Sequence, residues 1–275
     1  MNKYETRVVL FLDILGFKDI ISKTVNKGKD VSKKIQELYD VIDVMTDDFT
    51  TSDKSTKVIT QFSDSIVISF KEEEEEAIIL LFEEIQSLIV KLILKNIICR
   101  GAISYGKLIH NDKIIFGPAL NDAYETETKA AMYPRVILDR SIVDIAIKYL
   151  KSYKGEPIDL SNDFSRFGLP SLAETLVTHN LQKDTDEKFY IDYFFSVILN
   201  YKNEPERLKS YLSQLSSIIV KGQQSEKPDI KVKYGWMKNK YNSMIENGIR
   251  GKYSGFTLMA HPLYRDKYLL DLKPL

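Results

Sequence analysis

Apolar residues change their period several times along this chain, and the changes mark out its elements. Residues 7–15 (Arg-Val-Val-Leu-Phe-Leu-Asp-Ile-Leu) are almost continuous hydrocarbon with a β-branched pair, the pattern of a strand buried on both faces. Gly16 breaks the run, and helical periodicity follows at roughly 17–25 and 31–46. Residues 57–62 and 65–70 are rich in β-formers and flank Ser63-Asp64, so a tight hairpin is predicted there. The acidic run Glu72–Glu76 opens a long helix ending near Lys95, where negative charge in the first turn complements the helix dipole. A strand at 96–109 and a short one at 113–116 follow. Next come a helix from Gly117-Pro118 to about 132, a strand at 135–139 and a helix over Ser141–Tyr149.

The order β-α-(α)-β-β-α-β-β-α-β-α predicts a helix-covered sheet of α/β or α+β class, with one domain over residues 1–150. Beyond it the periodicity weakens. Residues 151–187 carry Gly155, Pro157, Gly168 and Pro170 and read as loop with short elements. Phe189–Val197 fits a strand or a buried helix. Glu204–Val220 places Leu208, Tyr211, Leu212, Leu215, Ile218 and Ile219 at helical spacing, and Lys231–Ile245 reads as a further helix. The aromatic-rich tail 252–275 is expected to pack down, giving a mostly helical extension over 151–275. No internal repeat is apparent.

Composition narrows the class. With 44% hydrophobic and 11% aromatic residues the chain can bury a large core, which excludes disorder. Lys+Arg and Asp+Glu both number 39, so there is no electrostatic footprint for duplex nucleic acid or an anionic membrane. The most apolar stretch, Ala77–Ile98, is interrupted by Glu83, Glu84, Gln86, Lys91 and Lys95, which argues against membrane insertion. Val8–Leu15 contains Asp13 and no cleavage-type sequence follows it, so it does not read as a secretory signal. The single cysteine, Cys99, lies in an apolar run and reads as a buried thiol; a cytoplasmic location is expected.

Asp13 and Asp64 are the candidates for chemistry. Asp13 interrupts a strand that would otherwise be buried hydrocarbon, where an unpaired charge is costly. Asp64 sits at the tip of the predicted hairpin. A strand end beside a hairpin tip can bring two carboxylates within a few ångströms, and hard oxygens suit Mg²⁺ or Mn²⁺. Taken singly, Asp13 also reads as a strand-end residue and Asp64 as a turn former.

The surrounding motifs resemble those of class III adenylyl and guanylyl cyclases. Phe11-Leu-Asp-Ile-Leu-Gly-Phe17 is similar to the first metal motif of that family, and Gln61-Phe-Ser-Asp64 falls where its second metal aspartate lies in a hairpin. Arg100-Gly-Ala-Ile-Ser-Tyr-Gly106 looks like the strand after the long helix, and Phe116-Gly-Pro-Ala-Leu-Asn121 like the segment reaching the transition-state asparagine. The resemblance covers residues 6–145. It implies an α+β fold with a ferredoxin- or palm-type βαββαβ core and a mixed antiparallel sheet. It also implies two metal ions, Mg²⁺ or Mn²⁺, on Asp13, Asp64 and the Ile14 carbonyl, with a triphosphate cradled by the amides of Leu15, Gly16 and Phe17. Asn121 would come from the second subunit of a homodimer with composite sites, and the base pocket would fall to Thr60, Phe62, Ile114 and Phe116.

Three positions depart from the family pattern. Thr60 replaces the base-selecting lysine of adenylyl cyclases, Ile114 its acidic or polar partner, and Glu125 the transition-state arginine. Arg100 or Arg135 would have to supply the missing cation. Gly117–Glu127, Tyr133–Ile137, Phe189–Tyr193 and Lys233–Asn242 resemble the bacterial pyrimidine cyclases of Pycsar anti-phage defence. That branch implies CTP or UTP as substrate, and a separate effector activated by the cyclic pyrimidine monophosphate. A purine cyclase of the same fold and a catalytically silent nucleotide-binding or sensor module are the other readings. Trp236, Tyr234 and Tyr241 read as core at helical spacing. His110, His179 and His261 lack zinc-ligand spacing, and Glu125 either shapes the pocket beside Tyr124 or pairs with Lys129.

Overall fold

The apolar run at the N-terminus forms strand β1 (Glu5–Ile14), in which Val8, Val9, Leu10 and Leu12 are at most 1% exposed. The computed structural model describes residues 3–47, 49, 55–152, 172–201, 204–249 and 271–275. Residues 153–171 of the expected loop, and residues 250–270 with most of the expected tail and His261, lie outside the described residues.

After β1 come the short helix α1 (Phe17–Ser22), a two-residue strand pair β2 (Val25–Asn26) and β3 (Lys29–Asp30), and α2 (Ser32–Asp47). The hairpin is β4 (Val58–Phe62) and β5 (Ser65–Lys71), followed by α3 (Glu76–Leu94), β6 (Cys99–His110) and β7 (Ile115–Phe116). Then follow α4 (Pro118–Ala130), β8 (Val136–Leu138), α5 (Arg140–Ser152), α6 (Leu172–Val177), β9 (Leu181–Lys183) and β10 (Phe189–Ile191). The chain continues through α7 (Phe195–Asn200), α8 (Pro205–Gln223) and α9 (Pro228–Ser243).

Both edges of β1 are paired antiparallel, Arg7–Asp13 against Lys71–Ser65 of β5 and Glu5–Ile14 against Leu108–Cys99 of β6. A strand hydrogen-bonded on both sides and covered on both faces has to be apolar, which is why the run reads without alternation. The sheet order is β4-β5-β1-β6-β8-β10-β9, with β7 paired to β6 off this path. Helices intervene between β1 and β4 and between β5 and β6, so the β6-β1-β5-β4 part is a βαββαβ arrangement. Only the β6–β8 pairing is parallel among those described. The fold is therefore α+β with a mostly antiparallel sheet, as expected.

The chain packs as two compact units, one of residues 1–88, 99–131 and 135–191, the other of 89–98, 132–134 and 192–275. This differs from the boundary expected at residue 150. The physical reason is that β9 and β10 extend the sheet of the first unit. They also bring Asp184 and Asp186 to Arg135, whose side chain is 1% exposed and pairs with both. Phe189–Val197, read as strand or helix, is both. The strand ends at Ile191, and the buried Asp192 carboxylate accepts hydrogen bonds from the amides of Phe194 (2.9 Å) and Ser196 (2.7 Å) at the entry to α7.

In the second unit, α8 buries Leu208, Tyr211, Leu212, Leu215, Ile218 and Ile219, the stripe predicted from spacing. A Cβ on Gly222 would lie 2.2 Å from the Tyr234 ring, so the glycine lets α8 and α9 close on each other. Trp236 is core as expected, stacked on Tyr133 at 5.5 Å and 7°. Cys99 is a buried free thiol whose pKa burial pushes up to about 12, so it stays protonated. Among the described residues, no helix is long and apolar enough to cross a membrane.

Gly101 is the tightest point of the central strands, since a Cβ there would meet the Phe11 carbonyl oxygen at 2.5 Å. That oxygen and the next nearest atom, the Leu12 Cα at 3.2 Å, belong to backbone and cannot yield cheaply. Gly101→Ala is expected to cost roughly 1–3 kcal/mol, lowering the midpoint by several degrees in thermal unfolding. An unchanged midpoint would mean that β1 and β6 are not held this closely.

Candidate active site

β1 and the β4–β5 hairpin converge at one end of the sheet. The Ile14 amide donates to the Asp64 carbonyl oxygen at 3.1 Å, which pins the hairpin tip beside the strand end. Phe62 pairs with Ser65 across the two-residue turn, and Ser63 takes a left-handed φ of 54°. A non-glycine residue in that region stores about 1–2 kcal/mol, so the turn is held in place by its surroundings. Ser65, directly opposite Asp13, donates its hydroxyl to Asp13 Oδ1 at 3.0 Å. Asp13 and Asp64 are both partly exposed.

Burial is the largest influence on Asp13 and, with the nearby charges of Asp64 and Glu127, raises its pKa to about 6. The Ser65 hydrogen bond and the Arg100 charge act in the opposite direction. Arg100 lies opposite Asp13 in the β1–β6 register. Its Nε is ion-paired with Glu127 of α4, a carboxylate only 3% exposed. Asp13 thus stands near two further carboxylates and one guanidinium, and an excess of hard anionic oxygens fits Mg²⁺ or Mn²⁺. Among the described residues there is no group of three or more His, Cys, Asp or Glu arranged to hold a metal by itself. Asp13, Asp64 and the Ile14 carbonyl would therefore make an open site, completed by ligand oxygens.

Glu127 escapes a reading by motif, yet a signal existed. Ala119, Ala123 and Glu127 recur every fourth residue and are the buried positions of α4, so the glutamate continues its inward stripe. Arg135, the alternative cation, is committed to Asp184 and Asp186. Glu125 is exposed and pairs with Lys129 at 2.7 Å, one of the two readings of that position.

At Gly16 the chain turns into α1 with φ 77°, and a Cβ there would meet nothing within 4 Å. The glycine is required by the backbone angle rather than by space. Among the described residues, the amides of Leu15, Gly16 and Phe17 have no protein acceptor, as first-turn amides do not.

The other expected site residues lie elsewhere on the first unit. Asn121 lines a cleft of about 510 Å³ with Tyr4, Ile115, Phe116, Gly117, Pro118 and Leu120, and neither aspartate borders it. Of the expected base-pocket residues, Phe62, Ile114 and Phe116 are 46–50% exposed, and Phe116 packs edge-on against Tyr4 at 5.9 Å. Thr60 is hydrogen-bonded to His110 Nε2 at 2.8 Å. The structure thus gathers Asp13, Ile14, Asp64, Arg100 and the Leu15–Phe17 turn, and leaves Asn121 apart.

No family model and no curated protein matches the sequence. Solved structures do. A bacterial light-regulated adenylyl cyclase aligns at 15% identity and TM-score 0.39, over 51% of this chain and 79% of its own. Another aligns at 14% identity and TM-score 0.35, over 52% and 45%. The catalytic core of a rhodopsin-guanylyl cyclase with converted specificity, in complex with ATPαS, aligns at 16% identity and TM-score 0.37, over 69% and 96%.

Because folding raises the Asp13 pKa from 3.8 to about 6, its ionisation costs stability as pH rises from about 4, fully so above about 6. Asp13→Asn, which keeps an acceptor for Ser65, should therefore raise the thermal midpoint at pH 8, with the gain gone below pH 4. No gain at pH 8 would show that Asp13 is not destabilised by its surroundings.

Proposed function

We propose that this protein is a class III nucleotidyl cyclase. On this reading it converts a pyrimidine nucleoside triphosphate, CTP or UTP, to the 3′,5′-cyclic monophosphate and pyrophosphate. The observation that carries the proposal is the convergence of Asp13 and Asp64, held by the Ile14–Asp64 backbone hydrogen bond, beside the unpartnered amides at the start of α1. The motifs around Asp13, Asp64, Arg100 and Asn121 support the same reading in their order along the chain.

Asp13, Asp64 and the Ile14 carbonyl would hold two divalent ions, Mg²⁺ or Mn²⁺. When bound, these acidify the 3′-hydroxyl and offset the charge of the triphosphate. The amides of Leu15, Gly16 and Phe17 would hold phosphate oxygens in line for attack. The 3′-oxygen bonds to the α-phosphorus, the bond to the β-phosphate oxygen breaks, and the hydroxyl proton passes to solvent. Asn121 would orient the ribose from the second copy of a homodimer, in keeping with its separation from the aspartates within one protomer. Arg100, opposite Asp13, is the proposed cation for the developing charge. Thr60 and Ile114, in place of the purine-reading pair, support a pyrimidine. The cyclic product would activate a separate effector in bacterial anti-phage defence, within the cytoplasm.

A silent nucleotide-binding module is the second reading. The engagement of Arg100 Nε by Glu127 and the carboxylate at position 125 favour it, since both reduce the positive charge available to a transition state.

Incubation with each of the four ribonucleoside triphosphates and Mn²⁺, with products identified by mass, separates these readings. Cyclic CMP or UMP is expected, falling at least a hundredfold in Asp64→Ala. Cyclic AMP or GMP would discard the pyrimidine assignment. Metal-dependent thermal stabilisation by triphosphate with no product would favour the silent module.

A further inference from the structure

Asp13 has a guanidinium directly opposite it and does not pair with it. Residues facing each other across a sheet share a face, so Asp13 and Arg100 are neighbours near the end of the β1–β6 ladder. Phe11 and Ala102, then Val9 and Ser104, are the preceding pairs on that face. A carboxylate and a guanidinium placed in this way form the expected cross-strand ion pair. Among the described residues, however, Asp13 has one side-chain hydrogen bond, from Ser65, and no ion pair. Arg100 pairs instead through Nε with Glu127.

Helix α4 accounts for the choice. It lies along the same face, where Ala119 and Ala123 share a buried cluster with Val9, and Tyr124 meets Phe11 edge-on at 5.5 Å. Glu127 is the next position of that stripe, and it falls beside the Asp13–Arg100 row. Both its oxygens are used, Oε1 by Arg100 and Oε2 by the Thr128 hydroxyl at 3.0 Å. The atoms that meet, Arg100 Nε and Glu127 Oε1, are themselves buried. Two carboxylates therefore compete for one guanidinium. Glu127 is 3% exposed, whereas Asp13 is partly exposed and keeps water as an alternative partner. Leaving a buried charge unpaired costs far more than leaving a solvated pair unmade, so the arginine goes to the glutamate.

We infer that Glu127 is a positioning residue that withholds Arg100 from Asp13 and so keeps the Asp13 carboxylate open to an added cation. This rests on the reading of Asp13 and Asp64 as metal ligands, and explains why an arginine set beside one of them does not close the site. With glutamine at position 127 the guanidinium loses its buried anionic partner, and the carboxylate directly opposite is Asp13. An Asp13–Arg100 pair and a divalent ion on Asp13 would then exclude each other. A glutamate that only satisfied a buried arginine would leave cation binding unchanged when replaced.

Two measurements on the nucleotide-free full chain test the inference. The first is Mn²⁺ binding, followed by the electron paramagnetic resonance of the free ion. Glu127→Gln should weaken it roughly fivefold or more, the effect of an opposite charge brought onto the carboxylate. Glu127→Gln/Arg100→Gln should bind within about twofold of wild type, since neither charge is left to interfere. The second is the crystal structure of Glu127→Gln, in which Arg100 should lie on the Asp13 carboxylate. Unchanged Mn²⁺ affinity in Glu127→Gln, or an Arg100 that stays away from Asp13 in its crystals, would overturn the inference and leave the metal site intact. The double variant leaves neither charge unpaired and keeps the test open where the single one does not fold; weak Mn²⁺ binding by it would equally overturn the inference. If wild type binds no Mn²⁺, or Asp13→Asn binds it equally well, the metal site itself fails and the inference falls with it.

Discussion

Strand β1 exchanges backbone hydrogen bonds with a neighbour on each side along almost its whole length, and the site depends on that double pairing. A strand in this position is shut off from water, so a charge on it has to be paired, as Arg7 is with Glu5, or sit where the chain leaves the sheet. Asp13 sits at that exit, one residue before the strand ends and three before the glycine that turns the chain into α1. The same pairing brings β5 alongside in antiparallel sense, so the hairpin tip arrives at the exit of β1 and not at its start. Two carboxylates become neighbours because of strand direction, and the Ile14–Asp64 hydrogen bond fixes how closely.

Holding those carboxylates together works against stability, and the environment of Asp13 shows how the opposition is managed. Burial and two like charges push it toward its neutral form, while a serine hydroxyl and a guanidinium pull the other way. The guanidinium is held in turn by Glu127, which stands on the inward stripe of α4 among alanines small enough to leave it room. The result is a half-dry site with surplus negative charge, whose ionised form is favoured when positive charge is brought to it.

Much of this was legible in the sequence, for reasons that differ from element to element. Long elements such as α3, α4 and α8 declare themselves because burial imposes a period over several turns. The pairing of a strand-end aspartate with a hairpin-tip aspartate was legible because both positions are fixed by local turn chemistry. Strands β9 and β10 hold three residues each, too few for any alternation to show, so the extent of the sheet was hidden. Asp192 concealed the switch from strand to helix inside one apolar run, since a buried capping carboxylate has no hydropathy signature distinct from a loop. His110 and Ser69 are forty-one residues apart, yet their side chains meet in a buried hydrogen bond of 2.8 Å. Partners of that kind are fixed by tertiary approach, which no spacing rule encodes.

The buried ion pairs of Arg135 bear on how such a protein can be divided or recombined. Its guanidinium comes from the turn before β8, and the carboxylates of Asp184 and Asp186 come from the strand pair that closes the sheet. A core without that pair would keep Asp13 and Asp64 but strip the Arg135 cation of both carboxylates, and breaking a buried pair of this kind costs about 3–5 kcal/mol. A piece of this chain cut near residue 150 would therefore lose the pairing, while one cut near residue 191 would keep every strand of the sheet. Arg135 acts as a covenant between the early and late parts of one sheet, and a piece that keeps one signatory has to keep the other.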